Sequence, residues 1–500
     1  RPTTFYRRLQ FQRDVPVQVV KYSIKPWSNP WYGMRVMWMH CTPSPLVKEP
    51  GGFHSTSLNN VPAFREEPRM PPEDQVRPWM LIYYSEDKKL EAEKFWKEYG
   101  KSSYETFKNQ IKVNDDVKKA AAEIVAGATT DEQKLERILT FCRTKIKNIY
   151  DDAAGLTDQD RKKMKDNNNT ADTLKRGYGL APDIDLLFAA LAQGAGFEAR
   201  VIRLSDRGDI FFDPSFPDSY FIEDIIDIGV KVNGQWKFYD PSSRYVPAGM
   251  LSWRQEGIKG LVTDPKEPMF IDMPVSKSDK SQQKGTAKLR LSEDGTIEGD
   301  VRLELTGHFA AQAKERADGE SASEREEALK SMVTRHISTA EFADIHIEPN
   351  LDDASKPFVY TFKIRVPGYA QKTGKRLFLQ PAFFQYGEPA LFSASQRKYP
   401  IYFSFPWSEV DEVTIELPEG YALDNAESPQ PFNANQIAVY NVNIGVTKDM
   451  KTLVFKRSFS FDAILFQTDV YGNLKQVFEL LHTADSHAIT LKQTASTASK

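Results

Sequence analysis

The sequence predicts an α+β protein in which a helical core stands between β-rich regions, and three observations carry that reading. Apolar residues alternate through Val17, Val19, Met34, Val36 and Trp38, the period of a half-buried strand. Between residues 130 and 149 they fall instead on one helical stripe. Beyond about Asp264 the alternation returns and dominates the rest of the chain.

Residues 1–86 form the first β-rich region, part of a sandwich, broken by Pro26, Pro30 and Gly51-Gly52. A helical linker follows at 87–114, with Phe95, Trp96, Tyr99 and Phe107 set among Lys and Glu. The core spans 115–263. Its helix with the capping box Thr130-x-x-Gln133 carries Leu135, Ile138, Leu139, Cys142, Ile146 and Ile149 on one stripe, with Cys142 on the buried face. The polar run from Asp151 to Lys175 reads as a loop or mobile segment, and Asn168-Asn169-Thr170 inside it matches a glycosylation sequon. Gly177-Tyr178-Gly179 then leads into a helix with Pro182 near its first position, Ile184, Leu187, Phe188 and Leu191 inward, and Gly194 or Gly196 at its end. Residues 264–500 make one or two further β domains. A single helical insertion near 323–337 has Ser323-x-x-Glu326 as its cap and Leu329, Met332, Val333 and Ile337 as its core face. The tail from Thr494 to Lys500 is expected to fray.

The 500 residues suit roughly three domains. A net charge of −3 removes the broad positive field that phosphate binding needs, so nucleic acid is not an expected partner. The basic cluster Arg161-Lys162-Lys163 with Lys165 is interleaved with Asp158, Asp160 and Asp166 and reads as a solvated face. The most apolar stretch, Leu186 to Ala199, is broken by Gln193, Gly194, Gly196 and Glu198, so no membrane span is expected. Cys41 and Cys142 make neither a disulfide framework nor a CxxC pair. The chain begins Arg1-Pro2-Thr3, as a processed product or fragment would. A dinucleotide fingerprint at Gly177-x-Gly179 fails on Pro182, and His482 and His487 are too widely spaced for a zinc pair. No cofactor and no metal ligand set is predicted.

The most informative stretch is IIDIGVKVNGQWKFYDPS, residues 225–242. Asn233-Gly234 between alternating runs signals a two-residue hairpin, whose register sets Asp227 directly across from Asp240. Like charges so placed destabilise a sheet unless something neutralises them. The pair is either exposed at a sheet edge, where water screens it, or a cation site or raised-pKa acid.

The order helix, Gly-Tyr-Gly, helix, the motif Gly196-Phe197-Glu198-Ala199-Arg200-Val201 and a hairpin closing on Asp240-Pro241 resembles the transglutaminase-like, papain-related core. Flanking segments resemble the β domains of its large bacterial members. These are Leu58 to Pro68 with Met70-Pro71-Pro72, then Glu388-Pro389, Arg397-Lys398-Tyr399-Pro400 and Leu417 to Tyr421. The resemblance implies a transglutaminase-like (papain-like) core between N-terminal and C-terminal β-sandwich-like domains, and a Cys-His-Asp triad. Ala181 stands at the cysteine position and Asp227 at the histidine position, and only Asp240 matches. No histidine lies between residues 55 and 307, and Cys142 sits on an apolar stripe, where cysteine is ordinarily inert.

The expectation is therefore a non-catalytic scaffold or protein-binding subunit of a larger assembly, with Tyr178, Asp183, Asp227, Trp236 and Asp240 as its binding residues and no catalytic residue. A second reading is a divalent-cation-binding protein or hydrolase using Asp183, Asp227 and Asp240. A third, carbohydrate binding by the β domains, rests on aromatics such as Trp27, Trp31, Tyr32 and Trp38, or Phe383, Phe384, Tyr386 and Phe392, which otherwise fill cores. By resemblance the location is the periplasm or cell envelope.

Overall fold

The computed structural model describes residues 6–28, 32–85, 91–151, 154–222, 224–425 and 427–494. Trp31, the first residues of the linker (87–90) and the tail beyond Thr494 lie outside the described residues. The N-terminal region is two three-stranded antiparallel sheets, one ordered Tyr6–Gln10, Trp79–Ser85, Gly33–Met39 and the other Val17–Ile24, His54–Val61, Val47–Lys48. They face each other across Phe11, Met80 and Ile82, with Val20, Trp38 and Leu58 packed around, as alternation of apolar side chains dictates.

Helix Ala92–Gln110 follows and inserts Trp96 between Phe212, Ile222 and Leu261. The core is a five-stranded antiparallel sheet in the order Gln235–Tyr239, Ile225–Val232, Glu198–Leu204, Lys259–Val262, Met269–Asp272. Helices Asp115–Val125, Asp131–Lys145 and Ala181–Gly194 cover one face of it, burying Leu135, Ile138, Leu187 and Leu191 against Val201, Ile228 and Val230. Thr130 caps the second of these helices by accepting from the Gln133 N–H at 3.2 Å. The opposite sheet face carries Ile202, Leu204, Trp236 and Phe238 under Leu251, Ile258 and Met273.

The polar run 151–175 is not the single loop expected: it contains helices Asp158–Lys163 and Thr170–Arg176. Its polar residues are caps. Thr157 and Asp160 form a reciprocal capping box, and Asn169 accepts from the N–H groups of Ala171 and Asp172. Within the sequon Asn168 is exposed, but Thr170 is buried and exchanges hydrogen bonds with the Lys112 backbone.

The C-terminal region is built on an eight-stranded sheet ordered Glu341–Glu348, Phe358–Val366, Ile297–Leu305, Gln282–Leu291, Trp407–Glu416, Thr452–Phe461, Ala438–Val446, Phe432–Ala434. Its one parallel pair joins Gln282–Leu291 to Trp407–Glu416. A four-stranded sheet that includes Arg376–Leu379 and Ile489–Gln493 shares its main core. Among the described residues three α-helices, not one, interrupt these strands: Gly307–Asp318, Ala322–Thr334 and Tyr471–Asp485. The middle helix starts earlier than expected. Ser321, not Ser323, caps it, because Ser321 and Glu324 satisfy each other's backbone N–H groups. Of its expected core face Leu329 and Ile337 are buried, whereas Met332 is 39% exposed.

Candidate functional site

The hairpin register holds: Val232 pairs Gln235 and Ile228 pairs Tyr239, so Asp227 and Asp240 are the next residues beyond its last pair. Asn233 and Gly234 have φ of 51° and 80°, the positive values that the two-residue turn requires. Both carboxylates are buried, Asp227 at 0% and Asp240 at 1% exposure, which excludes the reading of Asp227 as a water-screened edge residue. Pairing with Ile202 puts Asp227 on the sheet face that packs beneath Leu251 and Met273, so burial follows from the pleat.

A third carboxylate joins them. Asp185 lies one helical turn beyond Ala181, on the same face of helix Ala181–Gly194, and is 2% exposed. Its Oδ1 accepts from the Ser242 N–H at 2.8 Å, while Asp240 accepts from the N–H groups of Ser243 at 3.1 Å and Ser252 at 3.3 Å. A half-buried cation near the group is Arg143, which donates to the Asp240 and Val246 carbonyl oxygens and pairs with no carboxylate among the described residues. Burial pulls its guanidinium down to about 10, against the pull of Asp240 and Asp185. Asp227 is the odd member: both its oxygens are sealed from solvent with no hydrogen-bond partner among the described residues. Burial, then the charges of Asp240 and Asp185, holds its carboxyl far above the ordinary range. Asp185 is raised in the same direction by burial first and Asp240 second.

Sequence reasoning placed Asp183 with this pair, and the structure corrects it. At the third position of its helix Asp183 turns back to accept from the Leu180 N–H at 2.9 Å, capping the helix, while the period of 3.6 turns Asp185 inward. The spacing of Asp185 four residues after Ala181 was the available signal. Asp183 instead lines an open groove of about 360 Å³ with Tyr178, Tyr150, Arg161, Lys165 and Asn167. Asn167 ties this wall together, donating to the Tyr178 carbonyl at 2.7 Å. Gly179 is needed there, since a Cβ would lie 2.7 Å from the Asp183 Cβ. Trp236 belongs to neither group: half-buried, it lines a separate groove of about 710 Å³ with Glu132, Lys237 and Ser276. The five expected binding residues thus divide among three places.

Cys142 is fully buried, and burial followed by the charge of Asp185 pushes its thiol up, away from a reactive thiolate. Cys41 and Cys142 are both free. Among the described residues no group of three or more His, Cys, Asp or Glu is placed to hold a metal ion, and no helix is long and apolar enough to cross a membrane.

Comparison with known proteins agrees with the fold. Residues 118–240 match the family model described as the transglutaminase-like superfamily, and residues 375–491 match one described as a domain of unknown function with solved structure. No curated protein matches the sequence. The solved structure of a "putative protease" from Parabacteroides distasonis superposes with a TM-score of 0.54 at 12% identity, covering 98% of this chain and 75% of that one. That of a "putative cysteine protease" from Cytophaga hutchinsonii gives a TM-score of 0.21 at 10% identity, covering 48% of this chain and 78% of that one. Residues 118–240, which match the transglutaminase-like superfamily model, thus lie between β-rich regions in a chain whose overall fold is shared with the solved structure from Parabacteroides distasonis.

Proposed function

We propose that this chain is a catalytically silent member of the transglutaminase-like group, a scaffold or protein-binding subunit whose groove at Tyr178 and Asp183 takes an extended polypeptide segment. One observation carries the reading. The positions where the resemblance expects a thiol and an imidazole hold the methyl group of Ala181 and the carboxylate of Asp227, the latter sealed at 0% exposure. A methyl group cannot attack a carbonyl, and a sealed acid cannot take a proton from a bound substrate. The protease descriptions of the two structural neighbours therefore do not transfer as chemistry.

The groove itself supports binding. Tyr150 is 65% exposed beside it, with the Arg161 guanidinium 5.1 Å from its ring centroid. Aromatic faces beside charges of both signs, from Arg161, Lys165, Asp158 and Asp183, suit a peptide better than a nucleotide or a sugar phosphate. The test is incubation of the purified chain with a peptide pool and a primary amine, read by mass spectrometry. No new termini and no amine incorporation are expected. Cleavage or incorporation that Asp227→Asn or Cys142→Ser removes would overturn the proposal.

A further inference from the structure

A cavity of about 270 Å³ lies far from this groove, in the C-terminal region, between the eight-stranded sheet and the end of helix Ala322–Thr334. Phe362, Phe383, Phe384, Tyr386 and Met332 give it apolar and aromatic walls, and Asp411 and Glu409 project from the sheet beneath them. Gly285 makes room for this arrangement: a Cβ there would lie 2.5 Å from the Phe384 ring and 2.6 Å from Asp411 Oδ1.

The carboxylates are only partly compensated. Arg457, 1% exposed, pairs with Asp485 at 2.7 Å, Glu409 at 2.8 Å and Asp411 at 3.2 Å, so one guanidinium serves three acids. Asp411 is 5% exposed; its Oδ2 accepts from Arg457 and from Gln385 Nε2, while no described donor bonds its Oδ1. Gln385 Oε1, on the same wall, is also buried without a donor. Burial pushes the Asp411 carboxyl up to about 7, while Arg457 beside it pulls the other way. Arg335 and His336 stand at the rim, and neither forms an ion pair with Asp411 or Glu409 among the described residues.

We propose that this cavity binds an organic cation: a protonated amine or guanidinium on an apolar stem, the stem against Phe384 and Met332 and the charged head toward Asp411 and Gln385. Aromatic faces and a carboxylate floor together favour such a group over a neutral molecule of the same shape. The volume fits a small amine or one lysine or arginine side chain.

The test uses the whole chain and isothermal titration with n-butylammonium, its neutral isostere n-butanol, and an acetylated, amidated lysine tripeptide. The amine or the tripeptide should bind at least about tenfold more tightly than the alcohol. Asp411→Asn should weaken that binding by about tenfold or more. Because Asp411 also holds Arg457, Met332→Trp provides a second variant, which narrows the exposed mouth without touching the ion pairs and should abolish binding. Binding of the free amine alone identifies a small-molecule ligand, and binding of the tripeptide alone identifies a basic side chain of a polypeptide. Equal binding of amine and alcohol, or no binding of either cation up to about 10 mM, would overturn the proposal.

Discussion

Asp227 is the residue on which the chemistry turns, and its surroundings make a pH prediction. Its folded-state pKa, like that of Asp185, lies above the unfolded value near 4. The folded state therefore holds these protons more tightly, and their contribution to stability is complete below about pH 4 and lost as pH rises toward the folded values. In urea unfolding, Asp227→Asn should gain about 1–3 kcal/mol over the parent at pH 7.5 and little at pH 4.5. An equal effect at both pH values would show that Asp227 carries no buried charge penalty. Asp183 acts by a different route. Asp183→Ala removes the bond to the Leu180 N–H and should cost about 0.5–2 kcal/mol in the same assay. Composition could not separate Asp183 from Asp185, because both sit near the start of one helix and only the helical period decides which faces in.

The hairpin Ile225–Val232 to Gln235–Tyr239 was legible in the sequence because its turn chemistry is local. Positive φ at Asn233 and Gly234 admits few residues, and the register of Asp227 and Asp240 follows from it. Gly234→Ala leaves open space around the new Cβ but keeps φ at +80°, so it should cost about 1–2 kcal/mol by thermal unfolding. Helix Ala92–Gln110 makes the opposite case. Gly100 has ordinary helical geometry, but a Cβ there would lie 2.3 Å from the Pro268 Cβ, so Gly100→Val should destabilise by about 1–3 kcal/mol or more. Helices Thr170–Arg176 and Gly307–Asp318 were not legible, for contrasting reasons. The first is short and its N-cap Asn169 stands in an asparagine run that reads as loop; the second has no side-chain cap at Thr306 and buries small alanines, Ala310, Ala313 and Ala317, instead of a bulky stripe.

Across the whole molecule, two flanking segments that carried the family resemblance meet each other. Glu67 accepts from the Lys398 and Tyr399 N–H groups at 2.9 and 3.1 Å, Tyr402 donates its N–H to the Arg69 carbonyl at 2.6 Å, and the Arg397 side chain, 2% exposed, pairs with Glu67. Contacts between residues over three hundred positions apart have no sequence period, which is why the strands were legible and their assembly was not. In calorimetry the parent should unfold its N-terminal sandwich together with the C-terminal region, and Arg397→Ala should uncouple an earlier transition by leaving Glu67 partly buried and unpaired. The Tyr178 groove lies in the central region, lined by Tyr150, Arg161, Leu180 and Asp183. The central claim, binding without catalysis at that groove, is tested most directly by equilibrating the chain with a peptide library and sequencing the retained and free fractions by mass spectrometry. The account predicts a retained set of intact peptides that is lost in the double variant Tyr150→Ala, Tyr178→Ala. Peptides returned with new termini or new cross-links, or retention unchanged in that variant, would contradict it.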